Sequence, residues 1–149
     1  MILTNPQERL RFIRFSIVGT VGAGVDFGTF NLLVIFLGVP AVIASVCSFL
    51  VAVTSNFIWN RYWTYPDSRT KEFSKQWLQF TLVNVVGLFI RTPIFSLLHT
   101  PLRRLFSGWI VQGSADFWGH NIALGIAIIV VLFWNFFANR FWTYSDVDA

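Results

Sequence analysis

Four stretches of this chain, at about Phe15–Leu37, Ala41–Ile58, Leu78–Leu98 and Asn121–Phe137, are nearly free of ionisable side chains. No other feature constrains the fold as strongly. A helix needs about 20 apolar residues to cross roughly 30 Å of hydrocarbon. Lipid offers no water to a backbone N–H or C=O, so a spanning segment must bond its own backbone, as a helix does. Only 12% of the residues are charged and 55% are hydrophobic, with a mean hydropathy of +0.62. A soluble domain carries about 25% charged residues, so this chain has too few charges to cover a water-soluble core. The reading is a single all-α domain over residues 1–149, a polytopic membrane protein of four transmembrane helices.

Basic residues set the expected orientation. With four spans, both termini and the central loop share one side, which carries Arg9, Arg11, Arg14, Arg61, Arg69, Lys71, Lys75 and Arg140. The other side carries Arg103 and Arg104. Lys and Arg concentrate in cytoplasmic loops, so both termini are expected in the cytoplasm. The net charge of +4 follows from this asymmetry and from attraction to anionic lipid headgroups. No nucleic-acid-binding module fits the remaining residues. Cys47 is a lone mid-span cysteine, expected as a small packing residue.

Local signals mark the connections. Asn5 followed by Pro6 predicts an N-cap with proline at the first helical position. In the polar central segment, Phe73 and Trp77 share a helical face and are expected along the inner interface. On the outer side, Leu102, Leu105, Phe106, Trp109 and Ile110 follow amphipathic spacing after a Thr-Pro start. That stretch predicts a separate helix lying on the outer leaflet.

The chain also repeats itself. The stretch NFIWNRYWTY, from Asn56 to Tyr65, returns as NFFANRFWTY from Asn135 to Tyr144, and each copy closes an apolar stretch. Upstream, RFSIVGTVGAGVD aligns with QFTLVNVVGLFIR, so Phe15, Val18, Val21 and Gly22 match Phe80, Val83, Val86 and Gly87. The expected units are two parallel two-helix repeats, about residues 9–65 and 74–144. Parallel repeats are related by an axis along the membrane normal.

The alignment places Asp26 opposite Arg91. Both fall near mid-bilayer, where an isolated charge costs at least about 2.5–3.5 kcal/mol. A shared depth and opposite sign predict an intramembrane charge pair, either a device that fixes helix register or a gate and contact for a polar substrate head. In the repeated motif, Asn56 with Asn60 and Asn135 with Asn139 lie one helical turn apart. Arg61 and Arg140 follow at the helix ends, and Arg14 opens span one. Arg presents a planar fork suited to phosphate, so these seven residues are the expected phosphate site of an inner-leaflet cavity for a lipid-like ligand. Trp63, Tyr65, Trp142 and Tyr144 stand where interfacial aromatic belts form.

The RFSIVGTVGAGVD start, its early Asp26 and the two NR-aromatic-WT closures resemble the GtrA family of small four-helix membrane proteins, over about residues 9–144. The family usually closes with WTF, where this chain has WTY twice, and Gln79 stands where the first copy has Arg14. The resemblance implies translocation of polyprenyl-phosphate-linked sugars from the cytoplasmic to the outer leaflet of a bacterial or archaeal cytoplasmic membrane, for cell-surface glycan modification. It implies as partners the lipid-linked sugar and the glycosyltransferase that makes it, and it carries no catalytic residue. The sequence holds no nucleophile–His–acid arrangement, metal-ligand cluster or phosphate loop, so no enzyme activity, metal or cofactor is expected. Four helices make a thin bundle for a sugar head, which predicts a homo-oligomer, a dimer. Two alternatives stand beside translocation of the lipid: a proton-coupled exporter of small cations using Asp26, against which pairing with Arg91 would work, and a membrane scaffold that docks a glycosyltransferase.

Overall fold

The computed structural model describes residues 5–68, 70–108 and 112–147, and within them not the side chains of residues 41, 42, 112, 113, 116, 117 and 120. Every regular element among the described residues is helical. Helix α1, Pro6–Asn31, continues as a π-helical turn, Leu32–Phe36. Helix α2, Ala41–Trp59, ends in a π-helical turn, Asn60–Thr64. Helix α3 is Phe73–Ser107, and helix α4, Gln112–Ala138, ends in a third π-helical turn, Asn139–Thr143. Four helical segments, Pro6–Phe36, Ile43–Thr64, Phe73–Ser107 and Asn121–Thr143, are long and apolar enough to cross a membrane.

The chain divides into two compact units, Met1–Leu82 with Ala138–Ala149, and Val83–Phe137. In the first, α1 packs against α2. Its buried stripe is Glu8, Arg11, Phe15, Val18 and Gly22, spaced by three and four residues, which keeps one face of a helix toward its neighbour. The stripe on α2 is Ala44, Ser48, Ala52, Val53 and Phe57, mostly small residues. Small side chains let membrane helices approach closely, since lipid is as apolar as a leucine core and packing must supply the attraction. Gly38 turns the chain between the two helices at φ +64°, a conformation that costs glycine least. The start of α1 is capped as expected, with Asn5 Oδ1 accepting from Gln7 N at 2.9 Å and Pro6 at the first helical position.

In the second unit the buried residues include Val83, Gly87, Ala115, Ala123, Ala127 and Phe136. A Cβ added to Gly119 would lie 2.7 Å from the backbone nitrogen of Arg103, so a glycine there lets α4 meet the backbone of α3. Trp134 Nε1 donates to Val83 O at 3.1 Å, another tie from α4 to α3.

Two expectations about the connections change. Residues Leu102 to Phe106 do not start a separate surface helix; α3 runs on through Pro93 and Pro101 to Ser107. Proline inside a membrane helix is tolerated where neighbouring groups re-satisfy the backbone, and close packing at Gly119 holds this end against α4. Trp109 and Ile110 of that stripe, and Arg69 of the central loop, lie outside the described residues. Cys47, expected to pack inside, is exposed on α2. Phe73 and Trp77 are tied to α2: the Phe73 ring meets Phe57 edge-on at 5.0 Å, and Trp77 Nε1 donates to Thr54 Oγ1 at 3.2 Å. The outer faces carry large apolar side chains, among them Phe27, Phe36, Phe89 and Leu97.

Candidate functional site

Both copies of the repeated motif begin a π-helical turn at their second asparagine. Tyr65 N donates to Asn60 O at 2.8 Å, and Tyr144 N donates to Asn139 O at 2.7 Å. Such turns are frequent at functional sites. The sequence showed the repetition but not the turn.

One turn earlier the two copies share a second feature. Gly22 leaves room for the Asn56 carboxamide, since an added Cβ would lie 2.1 Å from Asn56 Oδ1. Gly87 does the same for Asn135, at 2.9 Å from its Oδ1. The glycine of the incoming helix and the asparagine of the outgoing helix are thus one device, built once in each unit.

The arginines that follow are buried in the first unit, Arg61 and Arg140 each with 7% exposure. Arg140 donates from Nε to Glu8 Oε1 at 3.0 Å and Oε2 at 3.2 Å, and from Nη1 to Tyr144 O at 3.3 Å. Glu8 also accepts from Arg11, whose Nη2 reaches Asp67 Oδ2 at 2.8 Å. Arg61 has other partners: Nη1 donates to Gln76 Oε1, Nη2 to Lys71 O at 3.2 Å, and the guanidinium lies over the Phe73 ring. Arg14 is half-buried, with Nη1 bonded to Trp63 O at 3.0 Å and its guanidinium over the Trp63 ring. The seven expected phosphate ligands therefore divide. Arg14, Asn56, Asn60, Arg61, Asn139 and Arg140 belong to the first unit, and Asn135 to the second.

Tyr65 and Tyr144 depart from the expected aromatic belt. Both are fully buried, and their rings stack at 4.2 Å with 16° between planes. Burial first, then the Glu8 charge, holds the Tyr65 phenol well above its usual range; burial and then Tyr65 do the same for Tyr144. Both therefore stay neutral. Trp63 and Trp142 are exposed at the helix ends.

A polar clamp that the sequence did not announce joins the two motif ends. Lys71 Nζ donates to Trp142 O at 2.6 Å, Thr143 O at 3.1 Å and Ser145 Oγ at 2.7 Å. Gln76 Nε2 donates to Ser68 Oγ at 2.6 Å and Thr143 O at 3.1 Å. Asp146 accepts from Ser68 and Thr70 at 2.6 and 2.7 Å. Burial pushes the Asp146 carboxyl up, but those two hydrogen bonds, its backbone and Lys71 together bring it below its usual value. Burial lowers Lys71, with Asp146 opposing. Glu8 left a trace in the sequence, as the one acid in PQERLRFIR, three residues before Arg11.

Asp26 is half-buried on α1 in the first unit. Arg91 is exposed on α3 in the second, where it lines a cavity of about 430 Å³ with Leu88, Thr92, Phe95, Asn121 and Leu124. Among the described residues no group of three or more His, Cys, Asp or Glu is placed to hold a metal ion.

Residues 14–144 match the family model described as the GtrA/DPMS transmembrane domain. The chain belongs to the GtrA/DPMS transmembrane family. It is a multi-pass membrane protein built on that domain. Over 88 residues it is 32% identical to a dolichol-phosphate mannosyltransferase of Pyrococcus furiosus, a match covering 59% of this chain and 25% of that protein. The chain thus spans about a quarter of that relative's length. Over 141 residues it is 29% identical to the membrane protein YngA of Bacillus subtilis strain 168, covering 94% of this chain and 84% of the relative.

Proposed function

We propose that this GtrA/DPMS protein translocates polyprenyl-phosphate-linked sugars from the cytoplasmic to the outer leaflet and catalyses no covalent step itself. The observation that carries the reading is the gathering of Arg14 and Arg61 at the ends of apolar helices within one unit. Cations at the edge of an apolar helix bundle suit a ligand with a charged phosphate head and a hydrocarbon tail, because each part meets its own solvent. Similarity to a protein named as a dolichol-phosphate mannosyltransferase supports a polyprenyl-phosphate ligand. In this reading the basic helix ends and both termini face the cytoplasm. Asp26, on the first span, and Arg91, on the third, would each meet the sugar in this reading. A glycosyltransferase supplies the lipid-linked sugar, and a second copy of the chain widens the passage.

The test is leaflet exchange of a fluorescent polyprenyl-phosphate sugar in liposomes holding the purified protein. Exchange well above that of empty liposomes is expected. Exchange at the empty-liposome rate sinks the translocation reading.

A second reading, a membrane scaffold that presents a glycosyltransferase, draws on a specific observation: the similar module covers a quarter of a chain named as a transferase. Stimulation of a co-reconstituted glycosyltransferase without leaflet exchange would favour it.

A further inference from the structure

The two copies of the motif are alike in sequence and unlike in what surrounds them. In the second copy the arginine and the threonine hydroxyl each have a partner. Arg140 is neutralised by Glu8, and Thr143 Oγ1 donates to Asn139 Oδ1 at 2.8 Å. In the first copy the arginine lacks a counter-charge and the threonine hydroxyl lacks a partner among the described residues. Arg61 has only neutral partners and no carboxylate within ion-pair distance among the described residues. Thr64 Oγ1 and Asn60 Oδ1, on side chains 1% exposed, have no hydrogen-bond partner there. The nearby acids are engaged elsewhere, Glu72 with Ser74, and Asp146 with Ser68 and Thr70. Arg14 adds a second cation against Trp63 of the first turn, where the second copy aligns the neutral Gln79.

A buried guanidinium without a counter-charge is costly, and buried charges are paired in stable proteins. An unmet buried hydroxyl in the same turn carries a further desolvation penalty. Both deficits are removed by one kind of ligand, an anion with several acceptor oxygens. We propose that the first motif, through the Arg61 guanidinium and the Thr64 hydroxyl, binds the phosphate of a lipid headgroup, while the second motif is a fixed structural pin held by Glu8. Asn60 Oδ1 remains as an acceptor for a ligand hydroxyl. The inference rests on the reading of the chain as a handler of phosphate-linked lipids, and it assigns that phosphate to one copy.

The experiment is binding to the full chain in a phosphate-free maltoside detergent, read by native mass spectrometry and thermal shift. Polyprenyl monophosphate, phosphatidylglycerol and inorganic phosphate are titrated separately. Arg61→Gln is expected to weaken polyprenyl phosphate binding roughly ten-fold or more, the scale of a lost charge-assisted hydrogen bond. Arg140→Gln should lower the melting temperature yet bind as the unaltered chain does below it. Thr64 makes no described hydrogen bond, so Thr64→Val is expected to fold normally and bind several-fold more weakly. Thr143→Val should show the reverse, a lower melting temperature with binding intact.

Binding of phosphatidylglycerol as tightly as polyprenyl phosphate, both lost in Arg61→Gln, supports the site while removing the polyprenyl part of the proposed function. Binding of inorganic phosphate lost in the same variant also supports it. Equal losses in folded Arg61→Gln and Arg140→Gln overturn the assignment to one copy and leave the translocation reading standing. No binding of any of the three probes, or unchanged binding in both Arg61→Gln and Thr64→Val, overturns the inference.

Discussion

Glu8 and Arg140, 132 positions apart in the chain, are joined by two hydrogen bonds at 3.0 and 3.2 Å with both side chains buried. The first turn of α1 is thereby fixed to the last turn of the final helical segment. Removing one partner of a buried ion pair leaves the other charged in low dielectric, which costs about 3–5 kcal/mol.

Glu8→Ala is therefore expected to destabilise the protein by about 3–5 kcal/mol, since both Arg11 and Arg140 lose their shared carboxylate. Thermal or denaturant unfolding in detergent measures this. A loss below about 0.5 kcal/mol, the range of an ordinary surface change, would remove Glu8 from the account.

The stacked tyrosines separate ring from hydroxyl. The hydroxyls of Tyr65 and Tyr144 have no partner among the described residues. Tyr144→Phe should then leave stability unchanged within about 1 kcal/mol or raise it, because a buried unmet hydroxyl is removed. Tyr144→Ala should cost about 3–5 kcal/mol through the cavity left beneath Tyr65. Equal losses in the two variants would show that the hydroxyl is bonded.

Gly22 is distinguished from its neighbour on the same helix by what surrounds it. An added methyl group meets the Asn56 carboxamide at 2.1 Å, whereas at Gly19 nothing lies within 4 Å. Gly22→Ala is expected to destabilise by about 1–3 kcal/mol through overpacking. Gly19→Ala should be neutral or stabilising by up to about 1 kcal/mol, as alanine favours the helix. A reversal of this order would refute the Gly22–Asn56 contact.

Asp146 gives a pH dependence with a defined sign. Its carboxyl titrates below the ordinary value of 3.8 because Ser68, Thr70, its backbone and Lys71 outweigh burial. Its contribution to stability is thus fully present above about 3.8, and falls away as pH drops through the lower folded-state value. Protease resistance of the C-terminal segment should hold constant from neutrality to about pH 4 and decline below it. In Asp146→Asn this decline should disappear, and a wild-type decline beginning near pH 6 would exclude Asp146 as its origin.

The sequence by itself determined the helical class, the four apolar segments, the N-cap at Asn5 and the repetition of the Asn–Arg motif. These follow from local properties: lipid permits few spanning forms, and a cap or a repeat is written in adjacent letters. It also aligned Gly22 with Gly87 and Asn56 with Asn135, without showing that each glycine meets its asparagine. Only the tertiary structure decided that Tyr65 and Tyr144 leave the surface to stack on each other, that α3 continues through two prolines, and that Arg61 and Arg140 have different surroundings. Identical side chains acquire different roles from partners distant in sequence. Glu8 neutralises one arginine, while neutral Gln76 and Lys71 O meet the other. Burial and pairing are sums over such distant neighbours, so no reading of the two decapeptides alone distinguishes them.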